Sequence, residues 1–151
     1  MSRQPHLLII NSPYYTEVNE NLLKNTKAAL DDAGASYEVR DVPGALEIPA
    51  AIKFASQSGK FDGYVALGCV IRGETTHYDY VCTESAHGLQ VLAMQDGLCI
   101  GNGILTVENR EQAMARALSK AEGGKDKGRD AALAPLSLIK LKSEFAGGID
   151  A

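Results

Sequence analysis

The chain is poor in several features that define common protein classes. Its 151 residues include no tryptophan and only three cysteines, Cys69, Cys82 and Cys99. Their odd number and the lack of a C-x-x-C pair argue against the disulfide framework of a small secreted domain. No stretch approaches the roughly eighteen apolar residues of a transmembrane helix. The apolar run Leu7–Ile10 is too short for a secretory signal, so we expect a cytoplasmic protein.

An excess of charge of either sign is missing as well. Fifteen Lys and Arg face nineteen Asp and Glu, for a net charge of −4. Bulk electrostatic attraction to nucleic acid or to an anionic membrane is therefore not expected. The hydrophobic fraction of 45% is ordinary for a globular protein. At this length the chain can hold its own core, and we predict a single domain over residues 1–151.

What is present is a regular alternation of strand and helix patterns. The alternation predicts a mostly parallel sheet covered on both faces, an α/β fold. Thr16 is expected to cap the first helix and Gly34 to end it. Asn109 and Gln112 resemble a capping box. The predicted strands are Leu7–Ile10, Tyr37–Val42, Tyr64–Ile71 and Cys99–Val107, and the predicted helices are Glu17–Ala33, Ile48–Ala55, Tyr80–Met94, Asn109–Ala121 and Arg129–Phe145.

Two segments between or after these elements stand out by composition. Glu122–Gly128 is a charged, glycine-rich hinge segment between the last two helices. Pro135 is expected to start the main body of the last helix or to kink it. The tail Gly147–Ala151 is expected to fray.

The polar segment Arg72–His77 is the most informative part of the chain. It follows an apolar strand and precedes a helix, where ligands of open α/β sheets bind. A helix start offers unpaired N–H groups to an anion, and Gly73 lets the backbone approach it. His77 is the nearby side chain that exchanges protons near neutral pH. The segment therefore predicts an anion site beside an acid–base group. The alternative is an ordinary turn before a capped helix.

Weaker signals lie at the ends of the other predicted strands. Glu47, in the loop Pro43–Pro49, is able to receive ligand hydroxyls or simply to favour a helix start. Asn102 lies between two glycines that indicate a close approach or a bulge. Tyr14 and Tyr15 follow the first strand, where an aromatic ring stacks on a ligand or packs at an interface.

Two further groups of side chains carry open alternatives. Arg116 and the lysines of the hinge segment are candidate phosphate ligands or solvated surface charges. His77, Asp79 and Cys82 form a conceivable metal site, but no further ligand is evident, and we expect no metal.

Taken together and in this order, three segments resemble one family. Pro43–Pro49, Leu67–Asp79 and Gly103–Asn109 are similar to the signature segments of 6,7-dimethyl-8-ribityllumazine synthases. The resemblance extends from Leu7 to Phe145. It implies a flavodoxin-like three-layer α/β/α sandwich with a four-stranded parallel sheet.

The resemblance also implies an activity. The family, a group of transferases, condenses 5-amino-6-(D-ribitylamino)pyrimidine-2,4-dione with 3,4-dihydroxy-2-butanone 4-phosphate. The product is 6,7-dimethyl-8-ribityllumazine, with release of phosphate and water, in the penultimate step of riboflavin biosynthesis. The family uses no cofactor. An alternative is a relative that binds lumazine or riboflavin without turnover.

Site residues follow from the resemblance position by position. His77 matches the proton-transfer histidine and Arg116 the phosphate-binding arginine. Tyr14 stands where the family more often has Phe or Trp, and Asn102 where many members have Phe. Lys127 matches a lysine near the site, although the choice between Lys125 and Lys127 stays open. The matched substrate-binding positions are Tyr14, Ala45, Leu46, Glu47, Cys69, Val70, Ile71, Glu74, Thr75, Asn102, Arg116 and Lys127.

The family assembles as homopentamers whose sites lie between neighbouring subunits. One subunit would supply the side chains around His77, and its neighbour would supply Asn102, Arg116 and Lys127. The charged hinge segment is expected to be mobile and to obstruct a closed shell, which predicts free pentamers or pairs of them.

Overall fold

In the computed structural model, residues 3–147 form a parallel sheet covered by helices on both faces. Within these residues the sheet has four strands in the order β2-β1-β3-β4. Residues 148–151 of the tail lie outside the described residues, and so does its predicted fraying. Among residues 3–147, no helix has the length and apolar character needed to cross a membrane. The elements are β1 (His6–Asn11), α1 (Thr16–Asp32), β2 (Ser36–Asp41), α2 (Ile48–Ser56), β3 (Gly63–Ile71), α3 (His77–Asp96), β4 (Ile100–Val107), α4 (Arg110–Ala117) and α5 (Lys127–Phe145).

The central strands are apolar on both faces because helices cover both faces. Side chains alternate along a strand, so neighbouring residues enter different cores. Leu7 and Ile9 pack with residues of α1, α4 and α5, whereas Leu8 and Ile10 pack with residues of α2 and α3. The predicted flavodoxin-like three-layer α/β/α sandwich with a four-stranded parallel sheet is confirmed.

Helix α5 lies unusually close to the edge strand. A Cβ atom at Gly101 would be 1.8 Å from the carbonyl oxygen of Ala131 and 2.8 Å from Cδ of Pro135. Pro135 lies inside α5 and is fully buried, rather than starting the helix as one reading of the sequence had it. The contact requires glycine at position 101 because a side chain would push the helix off the sheet.

Several helix ends differ from the prediction. Thr16 is the first helical residue, and Tyr15 occupies the cap position, so Thr16 is not the cap. Helix α3 begins at His77, earlier than the pattern of apolar residues suggested. Helix α4 ends at Ala117 because Leu118 is extended, with φ −69° and ψ 148°. Apolar spacing marks the buried middle of a helix better than its exposed ends.

The hinge segment Glu122–Gly128 is held by hydrogen bonds to the residues around it, which disfavours the predicted free hinge. Ser119 and Glu122 form a reciprocal capping box at a short 3₁₀ turn. The backbone N–H of Asp126 donates to the carbonyl of Leu118 at 2.9 Å. The backbone of Asp126 is left-handed, with a φ of 52°. Its side chain accepts a hydrogen bond from the N–H of Arg129 and so caps the start of α5. The prediction of free pentamers stays a prediction, with less support from this segment.

Candidate active site

A cavity of about 380 Å³ opens at the carboxyl ends of the strands. It lies where the chain order reverses between β1 and β3, the position at which doubly wound sheets bind ligands. Its size suits a small organic ligand. The lining residues are Ser12, Tyr14, Tyr15, Gly44, Ala45, Leu46, Glu47, Cys69, Val70, Ile71, Gly73, Thr75, His77, Tyr78 and Val81.

The exit of β1 forms the aromatic wall of the cavity. Ser12 is buried, and its N–H donates to the carbonyl of Leu67 at 2.8 Å, which carries the parallel ladder one residue past β1. The chain then turns to present Tyr14, which is 75% exposed. The Tyr14 ring meets Tyr15 edge-on, with centroids 5.0 Å apart. A flat ligand ring therefore has one free aromatic face on which to stack.

The segment after β2 brings backbone and a carboxylate to the cavity. Ala45–Glu47 form a 3₁₀ turn that leads directly into α2. Ala45 is buried, whereas Leu46 is 45% exposed and Glu47 is exposed. An Oε1 atom of Glu47 lies 3.0 Å from where a Cβ of Gly44 would be. The carboxylate thus folds back toward the cavity, placed to accept hydrogen bonds from hydroxyl groups.

The end of β3 forms the apolar floor. Cys69 is 7% exposed, while Val70 and Ile71 are half-buried. Burial raises the pKa of the Cys69 thiol from 9.0 to about 11, only partly opposed by Arg110. At neutral pH this cysteine is a protonated, weakly polar wall and not a nucleophile.

The start of α3 forms the polar side. Gly73, Thr75 and His77 line the cavity, as predicted for the polar segment Arg72–His77, called the anion loop below. The hydroxyl of Thr75 accepts a hydrogen bond from the N–H of His77 at 3.2 Å. His77 is exposed, and as the first residue of α3 it lies where the dipole favours an anion.

Four predicted residues are not among those that line this cavity within residues 3–147. Glu74 is exposed beside the loop. Asn102 lies on the edge strand β4 and pairs with Ala66, and its Oδ1 accepts from the N–H of Ile104 at 3.0 Å. The Arg116 guanidinium donates to the carbonyl of Gln112 at 3.0 Å. The Lys127 ammonium lies 3.6 Å from the carboxylate of Asp130.

The conceivable metal site gains no support. Among residues 3–147, no three His, Cys, Asp or Glu side chains are grouped as metal ligands would be. Burial raises the pKa of the Cys82 thiol, which opposes the thiolate that a metal requires.

Four lining residues escaped the sequence prediction: Ser12, Gly44, Tyr78 and Val81. Val81 lies one helical turn after His77, so an α3 starting at His77 would have indicated it. Ser12 follows a strand, but its role depends on a contact with the distant Pro43, whose carbonyl accepts from its hydroxyl at 3.3 Å. Sequence spacing carries no sign of such a contact.

Comparisons with known proteins point to one family. The 6,7-dimethyl-8-ribityllumazine synthase family model matches residues 4–143. A relative from Sphingopyxis alaskensis with that name is 54% identical over 143 residues, covering 95% of this chain and 99% of the relative. A relative of the same name from Agrobacterium fabrum is 51% identical, with 95% and 99% of the two chains covered. Another from Zymomonas mobilis is 50% identical, with 92% and 97% covered. The chain therefore belongs to the 6,7-dimethyl-8-ribityllumazine synthase family.

Proposed function

We infer that the chain catalyses the reaction of its family. It condenses 5-amino-6-(D-ribitylamino)pyrimidine-2,4-dione with 3,4-dihydroxy-2-butanone 4-phosphate to 6,7-dimethyl-8-ribityllumazine, with release of phosphate and water. One observation supports the inference besides family membership: the Tyr14 ring, the His77 imidazole and the start of α3 line a single cavity. The proposal includes one catalytic domain over residues 1–151 and a cytoplasmic location.

We propose that the pyrimidine binds against the inner wall. Its ring stacks on Tyr14 and lies along Cys69, Val70 and Ile71. The ribityl chain follows Ala45 and Leu46 to the carboxylate of Glu47, which accepts hydrogen bonds from its hydroxyls. The apolar floor and the free aromatic face support this orientation.

The phosphate substrate binds at the start of α3 in this proposal. The helix N-terminus, Glu74 backbone and Thr75 hydroxyl face the phosphate. His77 then exchanges protons with the attacking amine, the carbinolamine and the leaving group. Proton transfer by one such group contributes about 10²- to 10⁴-fold, and holding both substrates together contributes up to about 7–11 kcal/mol.

The site is complete only in an oligomer. Among the described residues lining the cavity there is no Lys or Arg, although a phosphate dianion calls for a cation. We propose that a neighbouring subunit in a homopentamer supplies Arg116, Lys127 and Asn102. A ring of this kind uses one heterologous contact repeated around an axis.

A direct assay tests the proposed reaction. Both substrates are mixed with the purified protein, and lumazine absorbance is followed with time. Turnover that falls about 10- to 10³-fold in His77→Ala, with an unchanged circular dichroism spectrum, supports the proposal. Lumazine binding without turnover would instead identify the binding-only relative, and equal turnover in His77→Ala would remove His77 from the mechanism.

A further inference from the structure

Arg72 is the first residue of the anion loop and lies beside the end of β4. Its backbone N–H donates to the carbonyl of Val107 at 2.9 Å, and so extends the β3–β4 ladder by one residue. Its side chain reaches three partners. Nε donates to Glu108 at 2.7 Å, a terminal nitrogen lies 3.4 Å from Asp79, and the guanidinium lies 4.4 Å from the ring centroid of Tyr78.

These partners belong to two different elements. Tyr78 and Asp79 form the first turn of α3 beside His77, and Tyr78 itself lines the cavity. Glu108 precedes α4, and its backbone N–H donates to the side chain of Gln112 at 2.8 Å. The N–H of Gln112 in turn donates to the Asn109 cap at 2.8 Å. The Arg72 side chain therefore links the start of α3, which has no side-chain cap, to the start of α4, which Asn109 caps.

The same contacts argue against a phosphate-binding role for Arg72. Two carboxylates already compensate its single charge, since Nε bonds Glu108 and a terminal nitrogen lies beside Asp79. Arg72 is also absent from the residues lining the cavity, whereas its stacking partner Tyr78 is among them. Its reach into the site is through Tyr78 and the backbone of the anion loop.

We propose that Arg72 is a positioning residue for the family reaction. Its guanidinium fastens the first turn of α3 to Glu108 and so fixes the anion loop and His77 relative to the cavity. The predicted effect on catalysis rests on the proposed function, whereas the contacts of Arg72 do not depend on it. A displacement of about 1 Å at a reacting group lowers rates by up to about 10²-fold.

Steady-state kinetics with both substrates test the consequence. Arg72→Ala should lower kcat about tenfold and change each KM by less than about twofold. Glu108→Ala should have a similar effect, and the double variant should be no slower than Arg72→Ala. Both substitutions remove the same Arg72–Glu108 contact, so their effects should not add. The control is Lys53→Ala, which removes the exposed ion pair at 2.7 Å to Asp96 at the far end of α3 and should leave kcat unchanged.

Hydrogen exchange tests the contact without turnover. Amides of residues 73–81 should exchange faster in Arg72→Ala than in wild type or Lys53→Ala, with the melting temperature within about 2 °C, since exposed ion pairs add little to global stability. Faster exchange supports the positioning role, whatever the turnover of wild type. An absence of turnover in wild type would refute the proposed function alone. Unchanged exchange overturns the positioning role, as does a raised KM for the phosphate substrate alone or additive effects of the two variants on kcat.

Discussion

The residues lining the cavity and the outlying side chains Asn102, Arg116 and Lys127 are held in different ways. The cavity wall is assembled from three strand ends that hydrogen bonds tie together, as between Ser12 and Leu67. Within residues 3–147, each outlying side chain makes its hydrogen bond or ion pair inside its own element, as Arg116 does with Gln112 one turn away. A wall built by long-range contacts is complete in one chain. Polar side chains held only locally remain available to another molecule, which is why the proposed site spans two subunits.

Mixing two defective variants should give the largest effect. His77→Ala removes the histidine from the cavity of its own subunit. Arg116→Ala removes the arginine that the subunit is proposed to supply to a neighbour's site. In randomly mixed pentamers about a quarter of the sites combine an intact wall with an intact arginine. Coexpression should therefore restore about a quarter of wild-type turnover from two proteins that are each 10- to 10³-fold slower.

The matched control mixes two wall variants. His77→Ala and Tyr14→Ala affect the same subunit of every site, so no combination rebuilds an intact one. Turnover above the average of the two separate variants in this control, or no such gain in the first mixture, would show that one chain carries a whole site.

The two regions should also differ in the substrate they hold. Arg116→Ala should raise KM for the butanone phosphate about 10- to 100-fold, through loss of charge-assisted hydrogen bonds, and leave pyrimidine binding nearly unchanged. Tyr14→Ala should do the reverse, weakening the pyrimidine about 3- to 10-fold through lost stacking. Equal weakening of both substrates by Arg116→Ala would make this arginine structural.

Alkaline pH should expose the burial of the cavity wall. Burial raises the pKa of Cys69 to about 11, above its ordinary 9.0, so the native state keeps a proton that the unfolded chain releases as pH rises past 9.0. The stability tied to this thiol is present below pH 9.0 and is lost toward pH 11. Between pH 7 and pH 10.5, wild type should lose about 2 kcal/mol relative to Cys69→Ala.

Guanidinium unfolding at one protein concentration measures this difference. Cys82→Ala, at a half-buried position outside the cavity, is the control and should show a smaller change. Parallel pH profiles of wild type and Cys69→Ala would contradict the buried, protonated thiol.

The smallest effect should distinguish the two lysines near the start of α5. Lys127→Ala should raise KM for the phosphate substrate a few-fold, and Lys125→Ala should not. Both side chains are exposed, but Lys127 lies in the first turn of α5. Inhibition by inorganic phosphate measured for both variants gives the same comparison without the labile substrate. A larger effect at Lys125 would reverse the assignment.

The sequence predicted the wall better than the connections around it. Buried strands such as Leu7–Ile10 leave a continuous apolar signature, and the motif around His77 marks its own place. The fold of the hinge segment was missed because it depends on hydrogen bonds to Ala115 in α4 and to Leu118 just after it. Tyr78 was missed as a lining residue for a similar reason, since its position depends on the start of α3. Both errors concern the ends of helices, whose positions the spacing of apolar residues does not predict.

Gly101 and Asn102 are adjacent on β4 yet should respond oppositely to saturation mutagenesis. Every substitution at Gly101 introduces a Cβ 1.8 Å from the Ala131 carbonyl oxygen, so variants should be lost at the level of soluble expression. Asn102 is exposed on the other face of the strand, so variants should accumulate normally and differ only in turnover. A library sorted first for yield and then for lumazine formation would separate the two positions, and would mark Asn102 as the place where this edge strand is open to redesign.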